Sequence, residues 1–112
     1  MIKLGIIGYG YWGPNIARNF QGLEDVELCT VCDIDAKQGS AIHRNCPGVT
    51  FTTDPNEVLT SLTLDAVAIV TPVSTHFPLA KAALKKGKHV FIEKPFTATV
   101  PEAEELIELA EN

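Results

Sequence analysis

The sequence lacks the features of secreted and membrane-bound proteins. The 112 residues include only three cysteines, Cys29, Cys32 and Cys46. An odd number this small does not form a disulfide framework, and it indicates free thiols in a reducing compartment. Uncharged apolar runs are far shorter than the ~18–20 residues that span a bilayer. The first residues show no signal-peptide pattern. We therefore expect a cytoplasmic protein with no membrane partner.

Positive charge is also scarce. The chain has 9 Lys and Arg residues against 14 Asp and Glu residues, which gives a formal net charge of −5. A net negative surface attracts nucleic acid poorly, so we expect no nucleic-acid partner. Hydrophobic residues make up 46% and charged residues 21% of the chain. This composition is typical of one globular domain.

Cys29 and Cys32 have the C-x-x-C spacing of some redox and zinc sites. The surrounding segment, residues 26–33, has a strand pattern, in which residues three apart point to opposite faces. A second C-x-x-C pair that would complete a zinc site is lacking, and no other metal-ligand spacing occurs. We therefore predict buried structural thiols and no metal site.

Strand-like and helix-like segments alternate along the chain. The predicted strands span residues 2–7, 26–32, 49–53, 65–70 and 89–92, and the predicted helices span 14–22, 35–45, 54–62, 75–86 and 101–110. This alternation predicts an α/β fold with a parallel sheet and helices on both faces. In a Rossmann fold the strand order would be 3-2-1-4-5, and the ligand would lie at the carboxyl ends of strands 1 and 4.

The segment Gly8-Tyr9-Gly10-Tyr11-Trp12-Gly13 matches the dinucleotide-binding pattern G-x-G-x-x-G. It follows a predicted buried strand and opens a helix, the context that this motif requires. Gly8 would permit the tight turn, Gly10 would let the backbone approach a pyrophosphate, and Gly13 would let the helix pack on the strand. Tyr11 and Trp12 either wall the cofactor or pack inward. The alternative is a glycine-rich turn without a ligand.

Asp33 ends the second predicted strand, 20 residues after Gly13. An acid at this position accepts hydrogen bonds from the adenine-ribose hydroxyls and repels the 2′-phosphate of NADP. No arginine follows directly, so the sequence favours NAD over NADP. A solvated loop acid is the alternative for Asp33, and Asp35 is a rival that a helix-capping role explains.

Two further segments follow predicted strands at the ligand edge, and both have ordinary explanations. Residues 71–76 (TPVSTH) fit a loop in which Thr75 caps the next helix. Glu93-Lys94-Pro95 fits a solvated ion pair at a strand end. Because both segments lie at the carboxyl edge of the sheet, where ligands bind in this fold, a functional role is favoured for each.

Taken together, these segments resemble the N-terminal domain of the glucose–fructose oxidoreductase / inositol dehydrogenase (Gfo/Idh/MocA) family, over the whole chain and in the same order. The Gly-Tyr-Trp-Gly-Pro-Asn stretch is most similar to the branch that acts on sugars and nucleotide-sugars. The resemblance implies NAD as cofactor and a homo-oligomeric dehydrogenase that moves a hydride between a substrate hydroxyl carbon and NAD. The resemblance also implies that Gly8, Gly10 and Gly13, with the backbone of Tyr11 and Trp12, bind the pyrophosphate, and that Asp33 binds the adenosine ribose. It implies that Thr71, Pro72 and His76 lie near the nicotinamide half and that Glu93 binds the nicotinamide ribose. Lys94 would be the catalytic proton-transfer residue, and Pro95 would orient it.

Members of this family continue into a second α/β domain that supplies the substrate pocket. The sequence contains neither that domain nor the last strand of the nucleotide domain. We therefore expect residues 1–112 to form an incomplete dinucleotide-binding domain that is inactive alone. Two alternatives remain: a non-catalytic NAD(H)-binding module or redox-sensing subunit, and an FAD-binding Rossmann domain.

Overall fold

The computed structural model describes residues 1–10, 13–92 and 97–111. A short 3₁₀ turn, Val73–Thr75, precedes the fourth helix. In chain order the elements are β1 (Ile2–Ile7), α1 (Gly13–Gln21), β2 (Val26–Cys32), α2 (Gln38–Asn45), β3 (Thr50–Thr52), α3 (Pro55–Leu59), β4 (Ala66–Ile69), α4 (His76–Lys85), β5 (His89–Ile92) and α5 (Val100–Glu111).

The described strands form one parallel sheet in the order β3-β2-β1-β4-β5. The predicted α/β fold and strand order are therefore confirmed. Ile7 at the end of β1 is in register with Cys32 of β2 and with Ile69 of β4. The residues that follow these three strands consequently emerge side by side at one edge of the sheet, where the strand order reverses.

The core has two layers, one on each face of the sheet. Neighbouring residues of a strand alternate between the layers, because successive side chains in a strand point to opposite faces. Ile6 packs in the layer covered by α1 and α2, whereas Ile7 packs in the layer covered by α3, α4 and α5. Both side chains are at most 3% exposed. Burying such a side chain stabilises the fold by roughly 1.5–3 kcal/mol.

The prediction that Cys29 and Cys32 point to opposite faces is wrong. The β1–β2 register shifts between Leu4 and Gly5, so that Leu4 pairs with Leu28 while Gly5 pairs with Thr30. The extra residue, Cys29, forms a bulge that changes the alternation. Both thiols therefore pack in the same core layer. Both are free, as is Cys46, and Cys29 is only partly buried.

Helix boundaries differ from the predicted ones where polar side chains bind the backbone. Asp35 does not cap α2: its carboxylate accepts the Lys37 backbone N–H at 3.0 Å, and the helix begins only at Gln38. The Thr75 hydroxyl likewise donates to the Pro72 carbonyl instead of capping α4. The predicted cap of α3 is confirmed, because Asp54 accepts the Asn56 N–H at 3.0 Å.

In the part of the chain that the structure describes, none of the helices combines the length and the hydrophobicity needed to cross a membrane.

Candidate functional site

The turn after β1 is held between two neighbouring strands. Gly8 has φ +105°, which side chains rarely tolerate, and its N–H donates to the carbonyl of Cys32 at 2.7 Å. A Cβ at Gly8 would overlap the backbone carbonyl of Val70, with its carbon only 2.7 Å away. The Val70 N–H is hydrogen-bonded to the Ile7 carbonyl, which holds this backbone at the end of β4, so the position requires glycine.

The other two glycines have different surroundings. A Cβ at Gly13 would lie 3.2 Å from the Gly8 carbonyl oxygen and 3.3 Å from Tyr9, so α1 packs closely against the turn. At Gly10 a Cβ would have no atom of the described residues within 4 Å, its chain neighbours aside. The backbone here faces open space beside the start of α1, where the helix dipole favours an anion. This arrangement fits a pyrophosphate group.

Asp33 lies beside the glycine turn with both carboxylate oxygens fixed. One oxygen accepts the Tyr9 N–H at 2.7 Å, and the other accepts the Asp35 N–H at 2.8 Å. A carboxylate oxygen has two lone pairs, so each oxygen retains one acceptor position. Two neighbouring hydroxyls, as in a ribose, are matched donors for this pair of positions.

A groove of about 440 Å³ runs along this edge of the sheet. Its surface is mostly apolar, and Ile34 in it is 83% exposed. The lining residues include Gly8, Gly10, Asp33, Ile34, Thr71, Pro72 and Leu79. An apolar groove with few polar groups at fixed positions is typical of cofactor sites.

Cys32 also lines this groove and is fully buried. Burial, with smaller contributions from the carboxylates of Asp33, Asp54 and Glu57, raises the pKa of its thiol to about 11. Cys32 is therefore a neutral thiol at physiological pH. It contributes an apolar surface to the groove and no nucleophile.

The hydroxyls of Thr71 and Thr75 are 2.5 Å apart. The single proton of Thr75 is donated to the Pro72 carbonyl at 2.6 Å, because a carbonyl can only accept. The Thr71 hydroxyl must then donate to Thr75. The Thr71 hydroxyl oxygen can then only accept a hydrogen bond from a ligand in the groove. It therefore matches a ligand hydroxyl or amide N–H better than a phosphate.

His76 lies behind Thr71 and is 1% exposed. Its Nε2 is 2.7 Å from the Thr71 carbonyl oxygen. The structure places Thr71 and Pro72 on the groove surface but not His76. The position of His76 suits orientation of the Thr71 backbone more than direct contact with a cofactor.

Five predicted site residues, Tyr11, Trp12, Glu93, Lys94 and Pro95, lie outside the described residues. β5 is parallel to β4, with Ile92 in register with Ile69, so β5 ends at the same edge of the sheet as the groove. Over residues 1–10, 13–92 and 97–111, no group of three or more His, Cys, Asp and Glu side chains is arranged to hold a metal ion.

Among the residues that sequence reasoning did not assign to this site, Ile34 and Tyr9 matter most for its geometry. Ile34 is an apolar residue left exposed directly after Asp33, and its exposure could not be foreseen from the sequence. Tyr9 was treated only as a variable position of the motif, yet it is 2% exposed and donates its N–H to Asp33. A large aromatic residue between two glycines was the available signal for Tyr9.

Known proteins match this chain over nearly its whole length. The family model described as "Oxidoreductase family, NAD-binding Rossmann fold" (Gfo/Idh/MocA) matches residues 2–112. The chain is 40% identical over 112 residues to the "Uncharacterized oxidoreductase YdgJ" of Escherichia coli (strain K12), covering 99% of this chain and 32% of that protein. It is 34% identical over 110 residues to the "UDP-N-acetylglucosamine 3-dehydrogenase" of Acidithiobacillus ferrooxidans, covering 98% of this chain and 34% of that protein.

The structure of GenD2 from gentamicin A biosynthesis in complex with NAD is also similar, with a TM-score of 0.91 and 28% identity over 98% of this chain and 31% of that one. This chain thus spans about a third of the length of these relatives. The open backbone at Gly10 and the two acceptor positions of Asp33 fit the NAD cofactor of the matching family. The chain belongs to the Gfo/Idh/MocA oxidoreductase family and forms its NAD-binding Rossmann fold.

Proposed function

We propose that this chain is the cofactor-binding part of a dehydrogenase that transfers a hydride between NAD and a hydroxyl carbon of a sugar or nucleotide-sugar. The observation that carries the proposal is the Asp33 carboxylate, fixed by two backbone N–H groups beside the open turn at Gly10. The named activity of the Acidithiobacillus relative supports a nucleotide-sugar as substrate.

Each site residue has a proposed part in binding. Gly8, Gly10 and Gly13, with the backbone of Tyr11 and Trp12, hold the pyrophosphate at the start of α1. Asp33 accepts the adenine-ribose hydroxyls. Thr71 and Pro72 line the groove towards the nicotinamide half, His76 orients Thr71, and Glu93 binds the nicotinamide ribose. Bound NAD supplies the hydride chemistry, and the chain positions it.

Lys94 is the proposed proton-transfer residue, and Pro95 orients it. The residue follows β5, which ends at the groove edge. A lysine there, in its neutral amine form, can take the hydroxyl proton of the substrate and become an ammonium as the carbon gives up its hydride to NAD. One positioned group of this kind contributes roughly 10²–10⁴-fold to the rate.

The test is Lys94→Met in the full-length protein, because this change keeps the aliphatic stem and removes the amino group. We expect kcat to fall by roughly 10²–10⁴-fold while NAD affinity changes little. Lys85→Met, an exposed lysine at the end of α4, is the matched control and should leave kcat unchanged. Near-normal kcat in the Lys94 variant would overturn the proposed mechanism.

The substrate is tested by following NADH absorbance with nucleotide-sugars, inositols and simple sugars. Turnover with a nucleotide-sugar or sugar supports the dehydrogenase. NAD binding without turnover on any of these compounds favours the other candidate, a non-catalytic NAD(H)-binding module.

We also propose that residues 1–112 act together with a second domain that supplies the substrate pocket, in a cytoplasmic homo-oligomer. The support is that the chain spans about a third of the length of its relatives. Reading the coding sequence beyond Asn112 tests the second domain, and an in-frame α/β domain is the expected result. Sedimentation of the full-length protein tests the oligomer.

A further inference from the structure

Tyr9 connects the glycine turn to the core on the α1–α2 side of the sheet. Its ring is 2% exposed and packs in the same cluster as Ile42. Its phenol oxygen accepts a hydrogen bond from the Asn45 side-chain amide at 3.2 Å. Burial raises the pKa of the Cys46 thiol, and the Tyr9 phenol opposes this rise. The end of the side chain is therefore held by the last turn of α2.

The backbone of the same residue holds the acid of the site. The Tyr9 N–H donates to Asp33 at 2.7 Å. The neighbouring residues on both sides are Gly8 and Gly10, which have no side chains to hold the turn. The Tyr9 side chain also supports Gly13, since it lies 3.3 Å from where a Cβ would stand there. Tyr9 is thus the side chain through which this part of the turn is fixed to the core.

We propose that Tyr9 is a positioning residue for cofactor recognition, which orients the Asp33 carboxylate towards the adenine-ribose hydroxyls of NAD. The chain of contacts runs from Asn45 to the Tyr9 phenol, through the Tyr9 backbone, to one oxygen of Asp33. The Asp35 N–H holds the other oxygen. This inference rests on the proposed NAD binding and adds the group that aims the acid.

A merely structural tyrosine and a positioning tyrosine predict different results. If Tyr9 only fills the core, its loss lowers stability and affects every dinucleotide alike. If Tyr9 orients Asp33, its loss specifically reduces the contribution that the adenine-ribose hydroxyls make to NAD affinity. The sensitive quantity is the ratio of the Kd of NAD lacking the adenine-ribose 2′-hydroxyl to the Kd of NAD itself.

The experiment measures this ratio by calorimetric titration for the wild-type chain and for Tyr9→Phe, which removes only the phenol oxygen. A hydrogen bond of this kind corresponds to roughly 3- to 10-fold in binding. We expect Tyr9→Phe to weaken NAD by about that factor and to lower the ratio at least about 2-fold. Asn45→Ala, which removes the partner of the phenol, should give the same change.

Ile42→Val is the matched control, because it removes one methyl group from the same cluster without touching a polar contact. It should leave the ratio unchanged. Tyr9→Phe and Asn45→Ala both keeping the wild-type ratio would overturn the inference. A wild-type chain that does not bind NAD, or whose NAD affinity is indifferent to Asp33→Ala, would instead overturn the proposed function.

Discussion

Cys32 illustrates, at the residue scale, how the groove sets the properties of one side chain. The thiol lies directly before Asp33 and is 0% exposed. Burial is the main cause that raises its pKa from 9.0 to about 11, and nearby carboxylates add to the effect. The folded state therefore prefers the neutral thiol.

We predict that this preference makes the fold sensitive to alkaline pH. Below the unfolded-state pKa of 9.0 the thiol is protonated in both states, and its contribution to folding stability is fully present. As pH rises from 9.0 to about 11, the unfolded chain ionises more readily than the folded one, and this contribution is lost. The loss is roughly 3 kcal/mol, since one pKa unit corresponds to about 1.4 kcal/mol. Urea unfolding from pH 8 to about pH 11 measures it, and Cys32→Ala should show a flatter decline than the wild type.

Cys29→Ala serves as the control for the pH experiment, because the Cys29 thiol is only partly buried. Its pKa is also raised, but its removal should alter the pH dependence less. Equal slopes for the wild type and Cys32→Ala would contradict the account of this thiol.

At the scale of the elements, the site depends on how closely the turn after β1 approaches the end of β4. The close approach at Gly8 leaves no room for a methyl group beside the Val70 carbonyl. Gly48 offers a matched comparison, since it has φ +86° but, apart from its chain neighbours, no atom of the described part of the chain within 4 Å of its Cβ position.

We predict that Gly8→Ala destabilises the chain more than Gly48→Ala. A non-glycine residue at positive φ costs of order 1–3 kcal/mol, and both variants pay this strain. Only Gly8→Ala adds a collision with backbone, so we expect a further loss of at least about 1 kcal/mol. Urea denaturation measures the difference, and equal losses would show that the β1–β4 approach is looser than the structure indicates.

Sequence patterns predicted the elements well because strands, glycine turns and the Asp54 cap depend on local chemistry. They failed where the chain departs from regular alternation. The bulge at Cys29 changes which face a residue occupies, and nothing in residues 26–32 marks it. Lys88 is only 7% exposed, and its ammonium donates to the backbone carbonyls of Ser61 and Leu64. Such contacts form between distant residues and leave no local signal.

The candidate site was predictable to a similar extent. The glycine turn and Asp33 follow from spacing, and the structure brings them together with Thr71 and Pro72 in one groove. The buried position of His76 was not predictable, because its contact with the Thr71 carbonyl depends on how α4 begins. Tyr9 was missed because motif spacing treats its position as variable.

The whole molecule has an exposed sheet edge away from the groove, because β5 is an edge strand of the described sheet. A second pocket of about 500 Å³ lies between α4, β5 and α5. Ile107 lines this pocket and is 51% exposed. On the other face of β5, Phe91 packs edge-to-face against Phe20 of α1 and is 45% exposed. Unpaired strand edges and exposed apolar side chains promote association.

We predict that the 112-residue chain self-associates through this surface. Sedimentation at several protein concentrations should show an apparent mass that rises with concentration. Ile107→Lys should reduce the association, because it places a charge on the apolar surface. A monomer at high concentration that binds no hydrophobic dye would argue against an open interface here.

Selection of NAD over NADP is a property of the whole cofactor-binding unit, and calorimetric titration of the chain with each dinucleotide measures it. We expect NAD to bind at least about tenfold more tightly, because Asp33 would repel a 2′-phosphate. Asp33→Ala should weaken NAD roughly 10- to 100-fold and spare NADP, since it removes both acceptors and the repulsion. Equal or tighter binding of NADP by the wild-type chain would contradict the assignment of Asp33 as the residue that selects NAD.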